Sequence, residues 1–224
     1  RPRPVNESIF AQGTGRHIVW VGILIAILTL GSYVRGFSTI GLDAFSSSIG
    51  LESLDRAAIV ALADDAHVPA DWDTWTTEQR VNFVGGTMEA GAQFLEGEST
   101  DNENPGHALK DLVERIPRTI AFTVLAFTQM FEVMAIHAGD RASFFRTRFK
   151  GNQLLLWAVI STFILQLLVV FTPILQTLFD TAPLTLTQMI VTFIAGSVVL
   201  FAVEIEKIVI RRELEADEAS IITE

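Results

Sequence analysis

Two polar residues, Gln129 and Glu132, lie inside an apolar stretch that is long enough to cross a bilayer, residues 118–139. An amide or a carboxylate in hydrocarbon costs several kcal/mol unless it has partners, so an intramembrane acid indicates an ion or proton site. A spacing of three places both side chains near one face of a helix, where two oxygen-bearing groups can converge on a cation. We therefore predict that Gln129 and Glu132 bind a metal ion.

Both side chains also have a structural interpretation, which stays open. Gln129 can form hydrogen bonds to a neighbouring helix, as polar residues in membrane bundles commonly do. Glu132 can act as an interhelical partner of that amide or of a helix outside the chain. Gln166, in a later apolar stretch, is predicted to make a hydrogen bond that serves packing.

The other ionisable residues show no spacing that is typical of a catalytic or metal site. Glu204 and Glu206 lie beside Lys207 near the end of the last apolar stretch, and we predict a surface ion pair there. Three histidines are predicted to be ordinary loop or interface residues: His67, His107 and His137. We predict no catalytic and no cofactor-binding residue.

The composition is that of a membrane protein. Half of the 224 residues are hydrophobic and 19% are charged, a mixture that indicates apolar spans separated from polar loops. About 20 apolar residues are needed to cross roughly 30 Å of hydrocarbon. Four stretches meet this requirement: 17–37, 118–138, 153–171 and 184–206. We predict an all-α fold, an integral membrane four-helix bundle with a long, partly helical extracytoplasmic loop.

Basic residues predict the orientation, because Lys and Arg in short flanking loops stay cytoplasmic. They are concentrated in residues 1–16, 139–152 and 207–224, whereas the connection 172–183 has none. We therefore predict a multi-pass protein of the cell membrane with both termini in the cytoplasm and with residues 38–117 and 172–183 outside. Arg35 and Arg118, at the outer edges of their spans, count mildly against this orientation.

The predicted outer loop, residues 38–117, is strongly acidic. It contains 15 acidic and 4 basic residues, a net charge of −11 against −10 for the whole chain. Its field can concentrate cations, or the loop can simply be a solvated surface of the kind that suits high salt. Residues 53–63, opened by a Ser53 cap, and 76–89 predict two short helices, so we interpret the loop as a small helical cap.

Four segments form an ordered set along the chain: RPRPVNESIF before the first span, TIAFTVLAFTQMFEVM in the second, QLLVVFTPILQTLFDTAPLTLTQ from the third into the fourth, and VEIEKIVIRR closing the fourth. In this order and spacing they resemble the C-terminal membrane part of a P-type cation-transporting ATPase of the calcium-pump kind, from its seventh to its tenth transmembrane helix. The resemblance covers nearly all of the chain except residues 38–110.

The resemblance implies that the chain is a piece of an ATP-driven cation translocase. Such a pump has an Asp-Lys-Thr-Gly phosphorylation motif, nucleotide-binding and actuator domains and six earlier membrane helices, and this sequence contains none of them. The parent would need Mg-ATP, whereas the chain itself holds no cofactor. The implied partners are the lipid bilayer, the remaining membrane helices and the cytoplasmic domains of the parent, with no nucleic acid.

The resemblance also implies a role for the two polar residues. In calcium pumps of this family the eighth helix contributes one side-chain oxygen to the ion site, and Gln129 falls on that position. Glu132 stands where related sequences often have asparagine, so the acid either restores negative charge one turn away or exchanges protons. The transported ion is expected to be calcium or a similar hard cation.

Two other classes of function stay open. One is a self-standing four-helix membrane protein that scaffolds or regulates a pump and performs no chemistry. The other is an acidic binding module that the helices tether to a membrane, which rests only on the long loop. A phosphorylation motif in frame upstream would favour the pump.

Overall fold

The computed structural model describes residues 14–46, 48–63, 65–85, 105–137 and 153–222. In these ranges the regular structure is entirely helical, which confirms the predicted all-α fold class. Their seven α-helices are α1 (Thr14–Thr39), α2 (Arg56–Leu62), α3 (Thr77–Val84), α4 (Pro105–His137), α5 (Gln153–Phe171), α6 (Pro173–Phe179) and α7 (Leu186–Ile222).

Four of these helices, α1, α4, α5 and α7, are long and apolar enough to cross a membrane. They coincide with the four predicted spans, and many of their large apolar side chains are exposed on the surface of the bundle. This exposure is what a lipid environment allows, because lipid tails are as apolar as the side chains themselves. Three helices are longer than predicted: α1 extends from Thr14 to Thr39, α4 begins at Pro105, and α7 continues to Ile222.

Helix α4 lies at the centre of the bundle and packs against α1, α5 and α7. Two glycines permit the closest crossings. A Cβ atom on Gly196 of α7 would lie 2.5 Å from the Cβ of Phe127, and one on Gly36 of α1 would lie 2.8 Å from the Cα of Pro117. Carbon atoms in contact normally lie about 3.5–4.0 Å apart. A larger residue at either glycine would therefore force the helices apart.

The bundle has two different ends. At the tail end, where α1 begins and α4 ends, α1 and α7 contact each other directly: Val21 and Ile25 pack with Val199 and Val203. At the opposite end, where α1 ends and α7 begins, α1 lies on α4 instead. We call this the cap end, because the loop after α1 folds over it.

The cap, residues 40–85, is a packed structure with its own hydrophobic core. Its buried Trp72 and Phe83 share that core with Leu109 and Val113 from the first turns of α4. The Arg80 guanidinium lies 5.3 Å from the centroid of the Trp72 ring and donates hydrogen bonds to three backbone carbonyl groups of the cap. The long loop is thus partly helical, as predicted, and it is anchored on α4.

The start of α2 differs from the prediction. The side chain of Asp55 accepts a hydrogen bond of 2.8 Å from the backbone N–H of Ala58, so Asp55 caps this helix. The predicted cap by Ser53 is wrong, because Ser53 ends a 3₁₀ turn and its hydroxyl donates to the carbonyl group of Gly50. A carboxylate also complements the positive start of a helix better than a hydroxyl does.

Two other segments refine the predicted boundaries. The second predicted short helix corresponds to α3, which Thr76 opens through a capping box with Gln79 and which ends at Val84. Residues 86–89 of that prediction lie outside the described residues. The connection 172–183, predicted as a turn, contains the short helix α6. Pro173 opens α6, since proline suits the first position of a helix.

Candidate cation-facing site on α4

Gln129 lies near the middle of the membrane-crossing part of α4. It follows Arg118 by about 11 residues, or about 16 Å along the helix axis, and a hydrocarbon layer is roughly 30 Å thick. Polar groups at both ends of this segment mark its limits: Arg118 lies at the cap end and His137 ends the helix. The amide is therefore placed where an unpartnered polar group is most costly.

The buried face of α4 explains how the helix is oriented in the bundle. Thr119 and Thr128 are buried, and their hydroxyl groups donate hydrogen bonds of 2.7 Å to the carbonyl groups of Arg115 and Leu125 in the same helix. Threonine satisfied in this way is compatible with a dry helix contact. Together with Phe127, these residues turn one side of α4 towards α1, α5 and α7.

Gln129 lies at the centre of the opposite face of α4. This outer face carries exposed Phe122, Leu125, Val133 and Ile136, all within about 40° of Gln129 around an ideal helix. The described helices leave this face open, and Gln129 is itself exposed. The chain therefore presents an amide, surrounded by apolar side chains, on a surface that its own described helices do not cover.

Glu132 lies to one side of this face. It is about 60° from Gln129 around the helix axis and is half-buried. Within the described ranges, no hydrogen bond or ion pair joins the side chain of Gln129 or Glu132 to another residue. The interpretation in which these side chains hold the described helices together therefore has no contact to support it. Their role as ion ligands stays a prediction.

Gln166 in α5 has the structural role predicted for it. Its amide nitrogen donates a buried hydrogen bond of 3.1 Å to the hydroxyl oxygen of Thr123 in α4. Beside this bond, the rings of Phe163 and Phe127 stack with their centroids 5.7 Å apart. This hydrogen bond and this aromatic stack help to hold α5 against the face of α4 that points away from Gln129.

Glu204 and Lys207 form a buried pair, so the predicted surface pairing of these residues is wrong. Their side chains lie 3.3 Å apart, and the two residues are only 6% and 5% exposed. The Lys207 ammonium group also donates a hydrogen bond of 2.6 Å to the carbonyl group of Ala135 near the end of α4. Lys207 therefore points into the contact between α4 and α7, away from water. There it caps an open carbonyl group at the end of α4.

Glu206 does not pair with Lys207 but with the start of α1. Its two carboxylate oxygens lie 2.5 Å from Nδ1 of His17 and 2.7 Å from the indole nitrogen of Trp20, which donates to it. Sequence reasoning missed this contact. The signal was the spacing of His17 and Trp20 by three residues at a membrane edge, which places both on one side of α1.

At the cap end, Asp180 forms ion pairs with two arginines of α4. Its carboxylate lies 2.6 Å from Nε of Arg115 and 3.3 Å from an amino nitrogen of Arg118. Arg118 also lies 3.4 Å from Asp111. Both arginines at this edge of α4 thus have carboxylate partners, and the orientation of the chain stays a prediction.

The described part of the chain does not form a complete cation site by itself. In that part, no group of three or more His, Cys, Asp or Glu side chains is arranged to hold a metal ion. Hard cations such as Ca²⁺ take about 6–8 oxygen ligands. Gln129 and Glu132 can supply only a minority of such a shell, so a site on the outer face of α4 would need ligands from other helices.

One family model matches the chain over residues 1–209, and its description is "Cation transporting ATPase, C-terminus". The matched region includes the cap and all four membrane-spanning helices up to residue 209. Neither a curated protein nor a solved structure matches the chain.

Proposed function

We propose a function from the premise that this chain belongs to the family of C-terminal membrane regions of cation-transporting ATPases. The chain is the support part of the transport domain of an ATP-driven P-type pump. It holds α4 in place, and α4 contributes Gln129 to the site that binds the transported cation.

One observation carries this proposal: the outer face of α4 is apolar, is left open by the described helices and is centred on an amide. An amide that faced only lipid tails would lose its hydrogen bonds, at a cost of several kcal/mol. Further helices of the pump would remove that cost if they supplied ligands to a cation that the Gln129 amide oxygen also binds. The opposite face of α4 is already occupied by α1, α5 and α7.

Calcium, or a cation of similar hardness, is the ion that suits this position. An amide oxygen is a hard but neutral ligand. Glu132, about 60° away around the helix, either adds negative charge near the ion or exchanges protons during transport. The remaining ligands, the phosphorylated aspartate and the Mg-ATP site belong to the parent pump, and we propose that both ends of this chain lie in the cytoplasm with them.

The direct test is the cation dependence of phosphorylation in the complete parent pump. Gln129→Ala should weaken cation activation about 10-fold or more, since one good oxygen contact is worth on the order of 1–3 kcal/mol. Gln129→Glu should retain cation binding. Glu132→Gln should leave the fold intact and should shift the pH dependence of transport if this acid exchanges protons.

Gln153→Ala is the matched control for this test. Gln153 is an exposed amide at the start of α5 and lies away from the outer face of α4. It should leave cation activation unchanged. Unchanged activation in Gln129→Ala, at normal expression, would leave Gln129 with a structural role only. A stand-alone scaffold would instead have no phosphorylation motif in frame in the gene upstream of Arg1.

A further inference from the structure

A narrow groove opens between α1 and α7 at the cap end. The two helices are in contact at the tail end, through Val21 and Val199 among others. At the cap end, Met189 of α7 packs on a buried cluster that contains Ile120 and Leu184, and this cluster includes no described residue of α1. The helices therefore diverge towards the cap, and α4 forms the floor between them.

The groove has an apolar floor and a polar rim. Its volume is about 110 Å³, well below the roughly 300–1,000 Å³ of pockets that enclose compact ligands. A linear chain is the shape that such a space can accommodate. The residues that matter for binding are Ser32 and Arg35 on α1, Ile120 and Val124 on α4, and Thr187 and Val191 on α7.

The charge of Arg35 favours an anionic ligand in the groove. It is exposed at the rim, and within the described ranges it has no ion pair and no side-chain hydrogen bond. The neighbouring arginines at this end, Arg115 and Arg118, are both paired with Asp180. An arginine near a membrane surface attracts anionic headgroups, and its guanidinium geometry matches a phosphate oxygen pair.

We infer that this groove binds an anionic phospholipid from the leaflet on the cap side. The phosphate lies against Arg35, with the hydroxyl groups of Ser32 and Thr187 within the same rim. The first part of an acyl chain lies along Ile120 and Val124. A helix is about 10 Å wide with its side chains, so a neighbouring helix would cover the mouth of this groove but would not fill it.

Quenching by brominated lipids tests this inference at one position. The native chain has no cysteine, so a fluorophore can be attached at Ile190→Cys in the purified chain in nanodiscs of phosphatidylcholine. Ile190 is 50% exposed on α7 and lies beside the groove without lining it. Phosphatidylglycerol or phosphatidylcholine with brominated acyl chains is then added in small amounts. The matched control is a fluorophore at Ile174→Cys, an 80% exposed position of α6 near the same end of the bundle.

At Ile190→Cys, quenching should show that brominated phosphatidylglycerol binds about fivefold better than brominated phosphatidylcholine, which is the preference expected from one basic residue. The preference should be close to one at Ile174→Cys. Adding Arg35→Gln should abolish the preference at Ile190→Cys. Quenching at the control position should stay unchanged, which also reports that the bundle is intact.

Three results would overturn the inference. They are equal quenching by the two lipids at Ile190→Cys, a preference that persists in Arg35→Gln, and no quenching by either lipid. The last result would show that protein, and not lipid, covers the groove. None of these results bears on cation binding at Gln129, so the lipid site and the proposed function fail independently.

Discussion

Replacing Gly196 by alanine should weaken the contact between α4 and α7. The added Cβ atom would lie 2.5 Å from the Cβ of Phe127 and 3.2 Å from its carbonyl carbon. Because carbon atoms in contact prefer about 3.5–4.0 Å, the helices must separate by about 1 Å or Phe127 must move. Phe127 is held between the rings of Phe163 and Phe193. Overpacking of this kind costs about 1–3 kcal/mol.

Gly22 in α1 provides the matched control, because a Cβ atom there would meet no atom within 4 Å. Both substitutions replace a glycine inside a long helix, so both gain about 0.5–1 kcal/mol from the lower backbone entropy of alanine in the unfolded chain. The difference in unfolding free energy between Gly196→Ala and Gly22→Ala therefore measures the steric clash with Phe127, which we expect to cost about 1–3 kcal/mol.

The free energy of unfolding can be measured on the purified chain in mixed micelles, by titration with SDS followed by circular dichroism. Gly36→Ala should be destabilised in the same direction as Gly196→Ala, since its Cβ atom would meet the Cα of Pro117 at 2.8 Å. Equal stability of Gly196→Ala and Gly22→Ala would refute the close crossing of α4 and α7.

Three further predictions concern orientation, the buried ion pair and catalysis. A cysteine at exposed Ser53 should react with an impermeant thiol reagent from outside the cell, whereas Arg212→Cys should react only after permeabilisation; the reverse pattern would invert the proposed orientation. Lys207→Met should lower the free energy of unfolding by about 3–5 kcal/mol, because Glu204 loses a buried counter-charge, and a neutral effect would contradict the burial. The purified chain should form no acid-stable phosphoenzyme from labelled ATP, because its sequence has no Asp-Lys-Thr-Gly motif; an aspartyl phosphate on this chain would overturn that expectation.

The positions of the membrane-spanning helices could be predicted from the sequence because they follow from length and hydropathy alone. The packing role of Gln166 was also predictable, since an amide in an otherwise apolar helix needs a partner. The buried state of Glu204 and Lys207 was not. Both lie at the end of a span, where the sequence pattern of a surface pair and of a buried pair is the same.

The candidate site was predictable only in part. Sequence reasoning placed Gln129 and Glu132 on one helix, and both lie in α4; their role as ion ligands stays a prediction. It did not reveal that Gln129 lies on the face left open by α1, α5 and α7, because which face a helix buries depends on its neighbours. For the same reason, the groove beside Arg35 has no signature in the sequence.

Helix α4 connects the cap to Gln129 as one continuous helix. It extends from Pro105 to His137. Leu109 is buried in the core of the cap, and Gln129 lies on a later turn of the same helix. The rise between these two residues is about 30 Å. A tilt of about 5° around Leu109 would displace the Gln129 amide by about 2.6 Å, which is as long as a bond between calcium and oxygen. A small change in the tilt of α4 relative to the cap is thus enough to move the amide oxygen by a full bond length.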